Sequence, residues 1–239
     1  MTSSTPIVTA PNDAAESTTN YQKHSSSNPV QRKLIDRFHH RLMAKLAELA
    51  PTSFLDAGCG EGFVAEIMTR NFPGLPITGV DFNEPSVALA QQKNPGSKFI
   101  TASIYELPFK NREFDVVGCF EVLEHLDDPH AALKELVRVS NRAVIMSVPH
   151  EPYFSMMNAL RGKNHHIRPR GSDPDHRNLW TRRAFHNFVE QELKIQWIGG
   201  SMPWTICFRA KGGTPPAVTG AVSGPPAPGT GSPASVPGR

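Results

Sequence analysis

Short apolar runs alternate along the middle of the chain with segments whose apolar residues recur every three to four positions. The runs are typical of buried strands, and the periodic segments are typical of helices that pack on one face. The pattern predicts strands over residues 52–57, 75–81, 97–102, 113–120, 142–149, 193–199 and 204–210. It predicts helices over residues 28–50, 62–72, 84–93, 128–140 and 181–191. This alternation indicates an α/β fold, with a mostly parallel seven-stranded sheet covered by helices on both faces.

Three segments depart from this alternation. Residues 1–28 are dominated by Ser, Thr, Asn, Pro and Ala, and residues 211–239 are rich in Gly and Pro. Neither segment can bury enough apolar surface to fold, so both are predicted to be disordered tails. The chain is 38% hydrophobic, which is enough for one substantial core over residues 29–210. We therefore expect a single domain, in which residues 150–178 interrupt the pattern as a substrate lid.

Charge and cysteine content narrow the class of protein. A formal net charge of +3 is modest for 239 residues, so the whole molecule is not built to bind nucleic acid or a membrane surface, although local basic patches are compatible with it. The three cysteines lie in apolar or glycine-rich surroundings, which argues against disulfides and against a cysteine zinc site. The start lacks the features of a signal peptide, and no apolar run is long enough to span a membrane. These features predict a cytoplasmic location.

A glycine-rich segment, LDAGCGEGF at residues 55–63, joins the first predicted strand to the next helix. Gly58 and Gly60 allow a tight turn and a close approach of the backbone to a ligand. A dinucleotide-binding fingerprint would have its third glycine where Phe63 stands. Asp81 ends the following strand, where a carboxylate can accept hydrogen bonds from both hydroxyls of a ribose. We therefore expect a cofactor that contains adenosine.

Four segments, in this order, resemble the class I S-adenosylmethionine-dependent methyltransferases: LDAGCGEGF, GVDFN, ASIYELPF and FDVVGCFEVLEHLDDP. The resemblance implies a Rossmann-like fold, methyltransferase activity and S-adenosylmethionine as cofactor. It implies that Asp56 and the glycines bind the methionine end, that Asp81 binds the ribose, and that Ser103 and Ile104 bind the adenine. Position 103 is usually Asp in that family. The cofactor-binding residues implied in this way are Asp56, Gly58, Gly60, Gly62, Asp81, Phe82, Ser103, Ile104 and Cys119.

The segment FEVLEHL contains the candidate catalytic residues, His125 and Glu121. If it forms a helical turn, Glu121, Glu124 and His125 share one face and can bind a divalent metal. The segment also resembles two metal-using methyltransferase groups, the small-RNA terminal-ribose 2'-O-methyltransferases and the ubiquinone-pathway O-methyltransferases. That resemblance implies His176 as a fourth metal ligand. Two alternatives stay open: His125 acts as a base without a metal, or these residues are purely structural.

The acceptor is constrained less strongly by the sequence. Seven Arg or Lys residues between positions 161 and 183 indicate an anionic acceptor or, equally, a solvated loop. Hydroxyl acceptors need a base or a metal to lose their proton, which fits the segment FEVLEHL. We therefore expect O-methylation of a small or lipid-linked molecule. The alternatives are a metal-dependent RNA terminal-ribose 2'-O-methyltransferase, which the modest charge makes less favourable, and a non-catalytic regulator that binds the cofactor.

Overall fold

A seven-stranded sheet forms the centre of the computed structural model, which describes residues 28–164, 166–167, 171–201 and 203–210. The strand order is β3-β2-β1-β4-β5-β7-β6. β7 is antiparallel to both of its neighbours, and the other neighbouring strands are parallel. The strands are β1 (Phe54–Ala57), β2 (Ile77–Asp81), β3 (Lys98–Thr101), β4 (Phe114–Phe120), β5 (Ser140–Pro149), β6 (Trp197–Ser201) and β7 (Trp204–Ala210).

Helices follow most of the strands, and polar side chains cap four of them. Asn28, Asn83, Asp128 and Thr181 each accept a hydrogen bond from a backbone amide in the first helical turn, which satisfies a donor that the helix itself leaves unpaired. The helices are α1 (Pro29–Leu49), α2 (Phe63–Asn71), α3 (Glu84–Lys93), α4 (Pro129–Val139), α5 (Tyr153–Leu160) and α6 (Arg182–Glu190), with a 3-10 turn at Leu123–His125.

The sheet separates two apolar cores. On one face, buried residues of α4 and α6 pack on the sheet, among them Leu136 and Phe185. On the other face, buried residues of α1 and α2 do so, among them Leu46 and Met68. The strand order reverses between β1 and β4, so a crevice opens at the carboxyl ends of these two strands. Ligands of open parallel sheets bind at such a crevice.

The predicted fold is confirmed: all seven strands and all five predicted helices are present within a residue or a few of their predicted bounds. The pattern did not predict α5 or the 3-10 turn. No helix in the described part of the chain is long and apolar enough to cross a membrane. All three cysteines are buried and free, as expected.

Only part of the predicted division into tails, domain and lid falls on described residues. Both predicted tails lie outside the described residues, at 1–27 and 211–239, except for Asn28, which caps α1. Arg168 and Arg170 of the predicted lid also lie outside them. The division into two tails, a domain at 29–210 and a lid at 150–178 stays a prediction.

Candidate active site

Three glycines with positive φ shape the loop between β1 and α2. Gly58, Gly60 and Gly62 have φ values of 82°, 49° and 76°, in the left-handed region that glycine adopts at little cost. The amides of Gly58 and Cys59 both donate to the carbonyl oxygen of Val80, at 2.7 and 2.9 Å. The loop therefore lies at the carboxyl ends of β1 and β2.

Gly58 and Gly74 provide a matched test of this loop because both have φ of +82°. A Cβ on Gly58 would lie 2.3 Å from Cγ2 of Val122, whereas a Cβ on Gly74 would meet nothing within 4 Å. Gly74→Ala should therefore lower the free energy of unfolding by about 1 kcal/mol through backbone strain alone. Gly58→Ala should in addition weaken cofactor binding by about tenfold or more, because the loop must shift. Denaturant unfolding and calorimetry measure the two effects, and equal cofactor affinities in both variants would contradict this reasoning.

The carboxylate of Asp81 fixes the far side of the loop. Its Oδ2 accepts a hydrogen bond from the amide of Gly60 at 2.9 Å, and its Oδ1 accepts one from the amide of Asn83 at 2.9 Å. Burial raises the pKa of Asp81, and these two donors act in the opposite direction. Each carboxylate oxygen can accept a second hydrogen bond, so the group can also bind two ribose hydroxyls.

Asp56 lies on β1 beneath the loop. Its side chain is buried, with 1% of the residue exposed, and its Oδ2 has no hydrogen-bond partner among the described residues. Burial, followed by the charge of Asp81, raises the pKa of Asp56 to about 7. A buried carboxylate oxygen without a donor is costly unless a ligand supplies one. The ammonium group at the methionine end of S-adenosylmethionine is such a donor, so these residues fit the implied cofactor.

Cofactor affinity should consequently increase as the pH rises through about 7, the value to which burial raises the pKa of Asp56. Below that pH the protonated carboxyl loses its attraction for an ammonium group, and above it the carboxylate regains that attraction. The measurement is calorimetry across this pH range with wild type and Asp56→Asn, because the difference between the two removes any titration of the cofactor itself. A pH profile that is identical in both proteins would contradict this role of Asp56.

The other predicted cofactor residues occupy different surroundings. Phe82 follows Asp81 with 81% of its surface exposed, and Ser103 is exposed, with its Oγ accepting a hydrogen bond from the amide of Tyr105 at 3.2 Å. Ile104 is half-buried beside the core. Cys119 is fully buried within the core, and burial raises the pKa of its thiol well above the ordinary value. Cys119 therefore packs within the core, and the cofactor roles of all four residues stay predictions.

Three of the four predicted metal-binding residues lie together. Glu124 and His125 belong to the 3-10 turn, His176 comes from the loop before α6, and one ligand atom of each lies within 4.8 Å of the other two. Glu121 does not share a helical face with them, because its φ of +58° turns the chain before the 3-10 turn begins. Its Oε1 accepts a hydrogen bond from Oγ of Ser147 at 3.0 Å.

The ring of His125 has a defined orientation. Its Nδ1 lies 3.1 Å from the carbonyl oxygen of Asp175, and a carbonyl can only accept, so Nδ1 carries the proton. The lone pair of the neutral ring is then at Nε2, which lies 4.0 Å from Oε1 of the buried Glu124. The ring of His176 packs edge-on against that of His125, with 4.9 Å between the centroids. Nε2 of His125 is therefore the ring nitrogen whose lone pair can bind a proton or a metal.

The loop that carries His176 is tied to the 3-10 turn by its backbone. The amides of Arg177 and Asn178 donate to the carbonyl oxygen of Glu124 at 2.8 and 3.0 Å. The side-chain amide of Asn178 donates to the carbonyl oxygens of Leu123 and Leu126, at 3.2 and 2.7 Å. Sequence reasoning missed Asn178, because an asparagine in a loop has no pattern that distinguishes this role from a turn.

A cavity of about 400 Å³ opens between α1, α5 and the loop before α6. Phe154 and Asp175 line it and also contact the cluster of Glu124, His125 and His176, since Phe154 packs on His176 and the carbonyl of Asp175 accepts from His125. Its walls come from segments that are distant in sequence, so no local pattern could have predicted it.

Comparisons with known proteins point to methyltransferases. A methyltransferase domain family matches residues 55–146. A demethylmenaquinone methyltransferase from Thermotoga maritima is 29% identical over 44% of this chain and 46% of its own length, so the chain spans less than half of that relative. A ubiquinone biosynthesis O-methyltransferase from Acinetobacter baylyi is 26% identical over 64% of this chain and 67% of its own length.

The fold also matches a solved structure. A magnesium protoporphyrin IX methyltransferase from Synechocystis PCC 6803, determined with bound SAH, has a TM-score of 0.62 and 18% identity, covering 84% of this chain and 98% of that chain. Identity at this level supports the fold alone. The domain match runs from β1 into β5 and so includes the glycine-rich loop, Asp81 and the 3-10 turn. The domain match and these relatives support a class I S-adenosylmethionine-dependent methyltransferase.

Proposed function

We propose that this protein transfers the methyl group of S-adenosylmethionine to an oxygen atom of a small or lipid-linked molecule. The observation that carries the proposal is the cluster of Glu124, His125 and His176 beside the cavity. Methyl transfer is an in-line displacement on a cationic leaving group, so the enzyme mainly aligns the two reactants. A hydroxyl acceptor must in addition lose its proton, and a carboxylate with two imidazoles suits that step.

His125 is the residue we propose to receive this proton. Its Nδ1 is held by the carbonyl oxygen of Asp175, and Nε2 therefore has the lone pair that a base needs. The buried carboxylate of Glu124, 4.0 Å from Nε2, would stabilise the imidazolium that forms. This arrangement supports a general base that works without a metal.

The same three residues also fit a divalent metal. A carboxylate and two imidazoles suit zinc, manganese, cobalt or iron better than magnesium, which prefers an all-oxygen shell. A bound divalent ion supplies Lewis-acid chemistry that lowers the pKa of a hydroxyl. In that case the carbonyl oxygen of Asp175 would orient His125 as a ligand. We leave Glu121 out of the proposed ligand set because the ligand atoms that lie within 4.8 Å of one another come from Glu124, His125 and His176.

The cavity supports an amphipathic acceptor. Phe154, Met157 and Trp204 give it an apolar wall, and Arg161, Lys163 and Asp173 give it a charged one. Small-molecule sites commonly combine a mainly apolar lining with a few polar groups that fix orientation. The name of the relative from Acinetobacter baylyi, a ubiquinone biosynthesis O-methyltransferase, agrees with oxygen as the acceptor atom.

A second candidate function is terminal-ribose 2'-O-methylation of RNA. One observation favours it: Glu124, His125 and His176 lie close together. These are three of the four metal ligands that the resemblance implied. It is disfavoured by the modest formal net charge of +3 for a chain of 239 residues. Proteins that bind nucleic acid usually carry a strongly basic surface.

The test is a methylation assay with isotope-labelled S-adenosylmethionine and two acceptor sets. One set contains phenolic and lipid-linked hydroxyl compounds, and the other contains short RNAs with a free terminal ribose. Mass spectrometry of the product locates the methyl group. Label on an oxygen of the first set supports the proposal, label on the terminal ribose supports the alternative, and label on nitrogen or carbon overturns both.

A further inference from the structure

α5 exposes an apolar stripe that the proposed function does not use. The stripe consists of Tyr153, Met156 and Leu160, which are 44%, 54% and 85% exposed. Their spacing, i, i+3 and i+7, places them on one face of the helix. The helix sequence, YFSMMNAL, contains no charged residue that could solvate this face. Contiguous exposed apolar side chains on a surface helix indicate contact with another apolar phase.

The stripe cannot turn inward, because the opposite face of α5 is already fixed. Ser155 donates from its amide and its hydroxyl to the buried carboxylate of Glu151. Asn158 donates from its side chain to the carbonyl oxygen of Gly171 at 3.0 Å. Gly171 is packed so closely that a Cβ there would lie 1.9 Å from the carbonyl oxygen of Ser155. Within the described part of the chain, the fold therefore leaves the stripe exposed.

Positive charge lies at the end of the stripe. Arg161 and Lys163 directly follow α5, and both are exposed at the mouth of the cavity. Asp173 and Asp175, from the loop before α6, line the same cavity. An apolar helix face that ends in two cations is complementary to a lipid surface that carries negative headgroups.

We propose that α5 docks this protein on an anionic lipid surface, with Met156 and Leu160 in the acyl boundary and Arg161 and Lys163 at the headgroups. A protein partner fits the stripe less well. Stable protein interfaces bury roughly 800 Å² per partner, and three side chains supply only a fraction of that area. Insertion into a lipid surface has no such size requirement, since each buried apolar side chain contributes independently. Docking in this orientation would place the cavity mouth at the bilayer.

The test measures sedimentation of the full chain with lipid vesicles and needs neither cofactor nor acceptor. We expect binding to phosphatidylcholine vesicles that contain phosphatidylglycerol, with little binding to pure phosphatidylcholine. Met156→Ser combined with Leu160→Ser should weaken this binding by roughly tenfold or more, because two apolar side chains no longer leave water. Arg161→Gln combined with Lys163→Gln should remove the preference for phosphatidylglycerol. Tyr105→Ser, which removes an exposed aromatic ring near β3, at the other end of the sheet, serves as the control and should bind as wild type.

The remaining outcomes overturn the proposal. Absence of binding to both kinds of vesicle contradicts it, as does equal binding by wild type and the Met156→Ser, Leu160→Ser variant, which would assign the binding to another part of the chain. A wild-type dimer that this variant converts to a monomer, measured by light scattering, would make the stripe a protein interface instead. Unchanged melting temperature and cofactor affinity in the variant show that its fold is intact. Vesicle binding and light scattering do not depend on the methyl acceptor. Absence of lipid binding is therefore distinct from a failure of the proposed methylation.

Discussion

Replacing Asp81 with alanine should weaken binding of S-adenosylmethionine by about 30-fold or more, because hydrogen bonds to a charged group contribute roughly 1.5 to 3 kcal/mol. The structure gives this carboxylate two tasks. It accepts hydrogen bonds from the amides of Gly60 and Asn83, which fixes the loop, and it has lone pairs left for the ribose hydroxyls. Alanine removes both functions at once. Calorimetric titration of the purified variant with the cofactor measures the loss.

Two further variants separate these tasks. Asp81→Asn keeps the size of the side chain and one oxygen. The loop amides therefore keep one of their two acceptors, and the ribose hydroxyls lose a charged acceptor. We expect an intermediate affinity. Glu84→Ala removes a nearby exposed acid at the start of α3 and should bind the cofactor as wild type. Unchanged affinity in Asp81→Ala, or tighter binding of NAD than of S-adenosylmethionine, would contradict the assignment of this residue.

The strands could be predicted from the sequence because parallel strands are buried on both faces and read as continuous apolar runs. β4 is an example, since its residues are buried or half-buried from Phe114 to Phe120. The helices could be predicted because capping residues such as Asn83 and Asp128 stand directly before them. α5 has neither signal. It begins after Pro152 without a side-chain cap, and its apolar residues lie on both faces, so no helical period distinguishes it from a loop.

The membership of the catalytic cluster could be predicted only in part. Sequence spacing places Glu121 beside Glu124 and His125 if the helix is regular, but residue 121 adopts a left-handed conformation that non-glycine residues rarely enter. Nothing in the residue type signals that conformation. The approach of His176 to the same cluster depends on hydrogen bonds from Asn178 and Arg177 to the 3-10 turn, which are tertiary contacts between segments about 50 residues apart. A local pattern cannot encode such contacts.

His125→Ala should cause the largest loss of turnover, about 100-fold or more, because general acid–base catalysis contributes roughly 10² to 10⁴ in rate. Variants of the neighbouring residues distinguish two roles for His125, a general base without a metal and a metal ligand. If a metal is bound, Glu124→Gln and His176→Ala should be nearly as inactive as His125→Ala, and a chelator should inactivate the wild type. Glu121→Gln should retain metal binding, because the ligand atoms that lie within 4.8 Å of one another do not include its carboxylate.

Metal binding itself gives a readout that does not need the acceptor. Titration of the protein with cobalt, followed by its absorption spectrum, should show one site per chain that is lost in Glu124→Gln, His125→Ala and His176→Ala and kept in Glu121→Gln. Loss of the site in Glu121→Gln would mean that its bond to Ser147 breaks when the ion binds. Full activity in chelator, with His125→Ala inactive and His176→Ala normal, would exclude the metal and leave His125 as the base, held in its tautomer by the carbonyl oxygen of Asp175.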